Sequence, residues 1–176
     1  MAFESKIRPI QWVDGHSRMI DQTVIPYEYK YVDVTTGDDM FHAIRDMIVR
    51  GAPAIGIAGA QGIVLYAQEG RGRGKYNNLS DFKKWLLEKA DYMATSRPTA
   101  VNLMWACAEQ KKIIENANSD IDELINKLTQ KAIEIEKDDI ERCKKMGDYG
   151  AEVVPKGATI LTHCNAGALA TGGYGT

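Results

Sequence analysis

The sequence predicts an α/β fold: a small antiparallel β lobe, then a helical bundle, then the opening strand and turn of a parallel-sheet unit. Three observations carry this. Near the N terminus two short apolar runs flank Asp14-Gly15, a pair that readily supplies the positive φ angles of a type I′ hairpin turn. From Thr36 to Met146 apolar residues recur at helical spacing. Last, the apolar, β-branched run Ala158-Thr159-Ile160-Leu161-Thr162 passes into small residues and glycines, the pattern of a buried strand leading through a tight turn into a helix.

Residues 7–13 and 17–20 are the expected hairpin strands, and a third is expected over 27–34, where Tyr27, Tyr29 and Tyr31 alternate with Glu28 and Lys30. Thr36 or Asp38 is placed to cap a helix carrying Met40, Phe41, Ile44, Met47 and Ile48, which must stop before Pro53. A second apolar helix is expected over 54–68, because proline is favoured in a first turn where its missing N–H has no intrahelical acceptor. Arg71-Gly72-Arg73-Gly74-Lys75 reads as a solvated connector. Ser80 is placed to cap a helix with Phe82, Trp85, Leu86, Ala90 and Met93 on one face. After Pro98 a helix with Val101, Leu103, Met104, Trp105 and Ala108 begins. From Asp120 to Met146 one long helix or two joined ones bury Ile121, Leu124, Ile125, Leu128, Ile133 and Ile140, with Gly147 positioned as the stop.

The chain has 176 residues, enough for one domain and a fragment of another, and the division is expected at 1–150 and 151–176. Hydrophobic residues at 44% and charged residues at 26% suit a globular protein, and a net charge of −2 gives no reason to expect nucleic acid. No apolar run is long enough to span a bilayer, and Glu4, Lys6 and Arg8 interrupt any signal-peptide core. Three widely spaced cysteines, Cys107, Cys143 and Cys164, suit a reducing compartment, so the cytoplasm is the expected location. Cys107 and Cys143 read as small packing residues on helices. No cysteine or histidine pair has metal-ligand spacing, and neither metal nor cofactor is expected.

Two places have the makings of a site. Arg50-Gly51-Ala52 stands at the entrance of the helix opened by Pro53, where outward N–H groups, the helix dipole and a guanidinium together suit a phosphate. A loop between two core helices explains the same spacing. Arg97 before Pro98 is a second arginine at a helix entrance, and it serves equally as a surface or salt-bridge residue. His163, Cys164 and Asn165 stand at the carboxyl end of the expected parallel strand, where open α/β sheets place ligands. Packing explains an isolated cysteine as well as catalysis does.

Three segments together carry a resemblance. Arg50-Gly51-Ala52-Pro53-Ala54-Ile55-Gly56, Ser96-Arg97-Pro98-Thr99-Ala100-Val101-Asn102-Leu103 and Leu161-Thr162-His163-Cys164-Asn165-Ala166-Gly167-Ala168-Leu169-Ala170-Thr171 closely resemble the methylthioribose-1-phosphate isomerase family. Its superfamily includes ribose-1,5-bisphosphate isomerase and the regulatory subunits of the translation initiation factor exchange complex. The resemblance implies an aldose–ketose isomerase of methionine salvage, converting 5-methylthioribose 1-phosphate to 5-methylthioribulose 1-phosphate. It implies Cys164 as catalytic residue, Arg50, Gly51, Ala52 and Arg97 as substrate-binding residues, no cofactor, and a homodimer. The family continues for about as many residues again, completing a Rossmann-like parallel-sheet domain that supplies an acid–base aspartate. The chain is therefore expected to hold one arm of the site, with a truncated Rossmann-like unit, and to need the C-terminal half of the same protein as partner. A non-catalytic subunit binding a nucleotide or sugar phosphate is the alternative.

Overall fold

The structure, a computed structural model, describes residues 7–74, 76 and 78–176; Glu4, Lys6 and Lys75 of the readings above lie outside the described residues. Three antiparallel strands, β1 (Ile10–Val13), β2 (His16–Ile20) and β3 (Tyr31–Val34), form a sheet in the order β1-β2-β3. The hairpin register sets Val13 opposite His16, and Asp14 and Gly15 take φ of 47° and 82°, as the I′ turn requires. Alternation puts Ile10, Ser17, Met19 and Val34 on the buried face. On the other face Arg18 clasps the Asp33 carboxylate through two hydrogen bonds, of 2.7 and 2.9 Å.

The third strand is shorter than the tyrosine alternation predicts. Tyr27 and Glu28 both donate to the Val24 carbonyl in a turn, so residues 27–30 leave the ladder. The tyrosine rings face solvent, with Tyr29 and Tyr31 edge to face at 5.5 Å.

Five helices follow: α1 (Gly37–Arg45), α2 (Ala52–Gly72), α3 (Leu79–Ala94), α4 (Val101–Asn116) and α5 (Ile121–Val153). α2 is the axis of the domain. It is buried continuously from Ala54 to Ala67 and packs against each of the other helices and the hairpin, which is why it is apolar on every side. Its Gly56 lets α4 approach until a Cβ there would sit 3.0 Å from the Asn102 carbonyl oxygen.

Several boundaries differ from the sequence reading. Asn78, not Ser80, caps α3: its side chain accepts from the Asp81 N–H and donates to the Asp81 carboxylate. On α4 the buried residues are Leu103, Ala106, Cys107, Gln110 and Ile114, so Val101, Met104, Trp105 and Ala108 lie outside the core stripe. α5 is one helix and continues through Gly147 and Gly150 to Val153, just before Pro155; a glycine inside a helix costs only about 1 kcal/mol and stops nothing by itself.

Residues 158–162 are not a strand but an exposed, irregular segment. A parallel strand exists only by pairing, and among the described residues no strand lies beside it. The glycine tail, in contrast, is packed. After a short 3-10 helix, Ala168–Ala170, residues Thr171 to Gly173 are buried. Gln22 donates to the Leu169 carbonyl at 2.8 Å, and Gly172 N–H donates to Asp139 Oδ2 at 2.6 Å. These bonds satisfy the tail from within the described chain.

Candidate functional site

The entrance to α2 is built by the loop before it. Asp46 and Met47 close α1, Met47 with φ of 63°, and buried Val49 pins the loop by donating to the Ala43 carbonyl. Gln22 N–H holds the Ile48 carbonyl at 2.9 Å. Arg50 is thereby left on the surface and Gly51 becomes the N-cap, with φ of 96° and ψ of 139°. That backbone favours glycine, and space demands it: a Cβ would lie 2.3 Å from Ala170 Cβ and 2.6 Å from its carbonyl oxygen. The third segment thus closes against the first.

The entrance to α4 is similar in kind. Buried Ser96 turns its hydroxyl onto the Met93 carbonyl at 2.7 Å, and a turn from the Arg97 carbonyl to the Ala100 N–H leads into the helix. Arg97 is half-buried. Thr36, Asn78 and Asp120 cap α1, α3 and α5 through their side chains, whereas α2 and α4 have no side-chain cap. Their first-turn N–H donors are left for water or an anion. Among the described residues neither Arg50 nor Arg97 makes an ion pair.

Between these two entrances lies a cleft of about 310 Å³, bordered by Pro53, Gly56 and Ile57 of α2, Val101, Asn102 and Trp105 of α4, and the Ile135 to Arg142 stretch of α5. The structure therefore brings the first two segments together through Gly56 and Asn102, and the first and third through Gly51 and Ala170. Cys164 is in neither of these contacts. It is exposed, with φ of 61°, as are His163 and Asn165, and no hydrogen bond or ion pair among the described residues joins it to Arg50 or Arg97. Cys107 and Cys143 are buried, as expected, and burial pushes the Cys107 thiol up to about 12 and raises that of Cys143.

Two carboxylates on α5 escaped the sequence reading. Glu136 Oε2 accepts from the Trp12 N–H at 3.2 Å and from Gln61 Nε2 at 3.1 Å, while Ser17 donates to Gln61 Oε1 at 2.6 Å. Burial raises the Glu136 carboxyl to about 7, outweighing the Trp12 hydrogen bond and the positive Arg8, which pull it down. Burial also raises Asp139, against the opposing bond from Gly172. The available signal was Gln61, a polar residue inside an otherwise apolar helix, which had to find a partner. Among the described residues no group of three acidic, histidine or cysteine side chains is placed to hold a metal ion, and no helix is long and apolar enough to cross a membrane.

Residues 48–172 match the profile of the initiation factor 2 subunit family. The chain is 45% identical over 170 residues to methylthioribose-1-phosphate isomerase of Geobacter sulfurreducens, covering 96% of this chain and 48% of that protein. It is 41% identical over 175 residues to 5-deoxyribose 1-phosphate isomerase of Clostridium botulinum, covering 98% and 49%. Among solved structures, 5-methylthioribose 1-phosphate isomerase from Pyrococcus horikoshii superposes with a TM-score of 0.87 at 38% identity, over 98% of this chain and 48% of that one. The delta subunit of translation initiation factor eIF-2B from A. fulgidus does so with 0.83 at 36%, over 97% and 48%. The chain spans about half the length of the relatives it matches.

Proposed function

We propose, from the premise that this chain belongs to the initiation factor 2 subunit family, that it supplies the phosphate-gripping arm of an aldose–ketose isomerase acting on a sugar 1-phosphate. The substrate is 5-methylthioribose 1-phosphate, the product 5-methylthioribulose 1-phosphate, and the process methionine salvage. The observation that carries this reading is the α2 entrance: a glycine N-cap at positive φ, no side-chain cap, and the exposed guanidinium of Arg50 beside it. Such an entrance offers backbone donors and positive charge to one phosphate, and each charge-assisted hydrogen bond there is worth about 1.5 to 3 kcal/mol. Gly51 and Ala52 bind through their backbone, and Arg97 is the second cation.

Phosphorylation caps the anomeric oxygen, so the ring opens only when an acid protonates the ring oxygen as its bond to C1 breaks. Hydrogen then leaves C2 and arrives at C1, either as a proton through an enol intermediate or as a hydride. Cys164 serves the proton route from its exposed position, with an aspartate from the C-terminal half as its acid–base partner. That half completes a Rossmann-like domain in which 158–162 gains a neighbouring strand and orders. The division of the chain at 150 and 151, a homodimer and a cytoplasmic location belong to this proposal.

A second reading is supported by the likeness to the eIF-2B delta subunit: a binding subunit without turnover. Full-length protein given the sugar 1-phosphate and, separately, a purine nucleotide distinguishes the two. Ketose formation from the first, with no saturable binding of the second, is the isomerase outcome. Nucleotide binding without any ketose overturns it.

A further inference from the structure

Gln22 stands in the turn after β2, outside the three segments of the site, and holds two of the loops that build it. Asp21 fixes the turn: its carboxylate accepts from the Thr23 N–H at 2.9 Å and from the Thr23 hydroxyl at 2.5 Å, and its own N–H donates to the Lys30 carbonyl. From that turn the Gln22 N–H donates to the Ile48 carbonyl at 2.9 Å, in the loop that leads to Arg50 and Gly51. Its side-chain Nε2 donates to the Leu169 carbonyl at 2.8 Å. Gln22 is only 8% exposed, so removing its amide leaves the Leu169 carbonyl without a ready replacement donor.

The bond to Leu169 acts on more than one carbonyl. Residues 166–176 close on themselves: the Thr176 N–H donates to the Ala166 carbonyl at 2.8 Å, and the Thr171 hydroxyl accepts from the Gly173 and Gly175 N–H groups at 3.2 and 3.0 Å. A loop tied internally in this way moves as a unit. The Gln22 bond at Leu169 and the Asp139 bond at Gly172 therefore fix its place from two sides. Ala170 in this loop meets Gly51, and Cys164 stands just before the Ala166 carbonyl that closes it.

We propose that Gln22 is a positioning residue for the isomerisation, setting the separation between the phosphate grip at Arg50 to Ala52 and the arm that carries Cys164. The inference rests on the isomerase reading and deepens it. The two bonds have separate sources: any residue but proline at position 22 keeps the one to Ile48, whereas the one to Leu169 needs a side-chain donor at that reach. Losing the side-chain bond therefore frees the Cys164 arm and leaves the phosphate grip in place. A displacement of about 1 Å at a reacting group is enough to cost about a hundredfold in rate.

The test uses the full-length protein with 5-methylthioribose 1-phosphate, comparing wild type, Gln22→Met and Gln22→Asn at a temperature where urea titration shows each variant folded. Methionine fills the same space without a donor, and asparagine keeps the amide but falls a methylene short of Leu169. Gln22→Met is expected to lower kcat by about tenfold or more while KM stays within about threefold, and Gln22→Asn to show the same split more weakly. A residue that only adds stability lowers the urea midpoint and leaves the folded enzyme's kcat alone, so wild-type kcat in the folded variants overturns the proposal. A rise in KM with kcat unchanged overturns it too, because that result ties Gln22 to the phosphate grip alone. Should methionine prevent folding, the asparagine variant decides by the same two readings. A wild type that binds the sugar phosphate without turnover defeats the isomerase reading and this proposal with it, an outcome recognised before any variant is compared.

Discussion

Gly51 and Ala170 are in backbone contact across 119 positions of chain, with a hypothetical Gly51 Cβ falling 2.4 Å from Ala170 Cα. This one contact ties the helix entrance to the segment that carries Cys164, and it makes glycine necessary for two independent reasons. Gly51→Ala is expected to destabilise the protein by about 2 to 4 kcal/mol, from the left-handed backbone and the overlap together. Gly74→Ala is the control, because Gly74 also has positive φ but nothing within 4 Å of its Cβ. Urea unfolding should show the Gly51 variant clearly the weaker; equal midpoints would mean that the contact is not made in solution.

The pH dependence of stability should carry the mark of Glu136. Its carboxyl is raised to about 7 in the folded protein, so between the ordinary glutamate range and pH 7 the folded state holds a proton that the unfolded state has lost. Stability is therefore full below the ordinary range and falls as pH rises through about 7, by up to about 3 kcal/mol, with Asp139 acting in the same sense. Glu136→Gln keeps an acceptor for Trp12 and is expected to flatten the slope from pH 5 to 8 in urea titrations. A slope identical to wild type would contradict the assignment.

The three thiols should separate cleanly. Cys164 is exposed, whereas Cys107 and Cys143 are buried with raised thiols, so brief alkylation of native protein with iodoacetamide should label Cys164 alone. Peptide mapping reads the result, and labelling of Cys107 at a comparable rate would refute it. If the full-length protein is the proposed isomerase, Cys164→Ser is expected to lower its kcat by orders of magnitude with substrate affinity within a few fold. A near-normal kcat would return Cys164 to a structural role.

Arg50→Ala and Arg97→Ala are expected to weaken a phosphorylated sugar far more than its dephosphorylated analogue, and the difference should shrink as salt rises. Calorimetry with the two ligands checks this. Equal losses for both would remove the arginines from the phosphate site.

How much of this was legible in the sequence depends on how local the cause is. The Asp14-Gly15 turn, the α1 cap, narrowed to Thr36 or Asp38, the start of α5 at Asp120 and the Pro53 helix start are set by a few adjacent residues and are legible in the sequence. Asn78 and Ser80 are both good caps by residue type, and only the bond from the Asp81 N–H decides for Asn78. Non-local causes were not readable. Whether 158–162 is a strand depends on a neighbour to pair with, not on its β-branched residues. The exposure of Trp105 depends on which face of α4 meets α2. The three segments of the site were visible individually, but the contacts that join them, Gly51 to Ala170 and Gly56 to Asn102, required the fold.

The central claim is that this chain carries the phosphate grip of an isomerase, and one measurement meets it directly. Full-length protein is incubated with 5-methylthioribose 1-phosphate in D₂O and followed by proton NMR, alongside the Arg50→Ala variant. The account predicts conversion of the wild-type sample to the ketose 1-phosphate and a kcat/KM at least about tenfold lower in the variant, as loss of a charge-assisted bond requires. A wild-type protein that binds the sugar phosphate and leaves it unchanged would contradict the account.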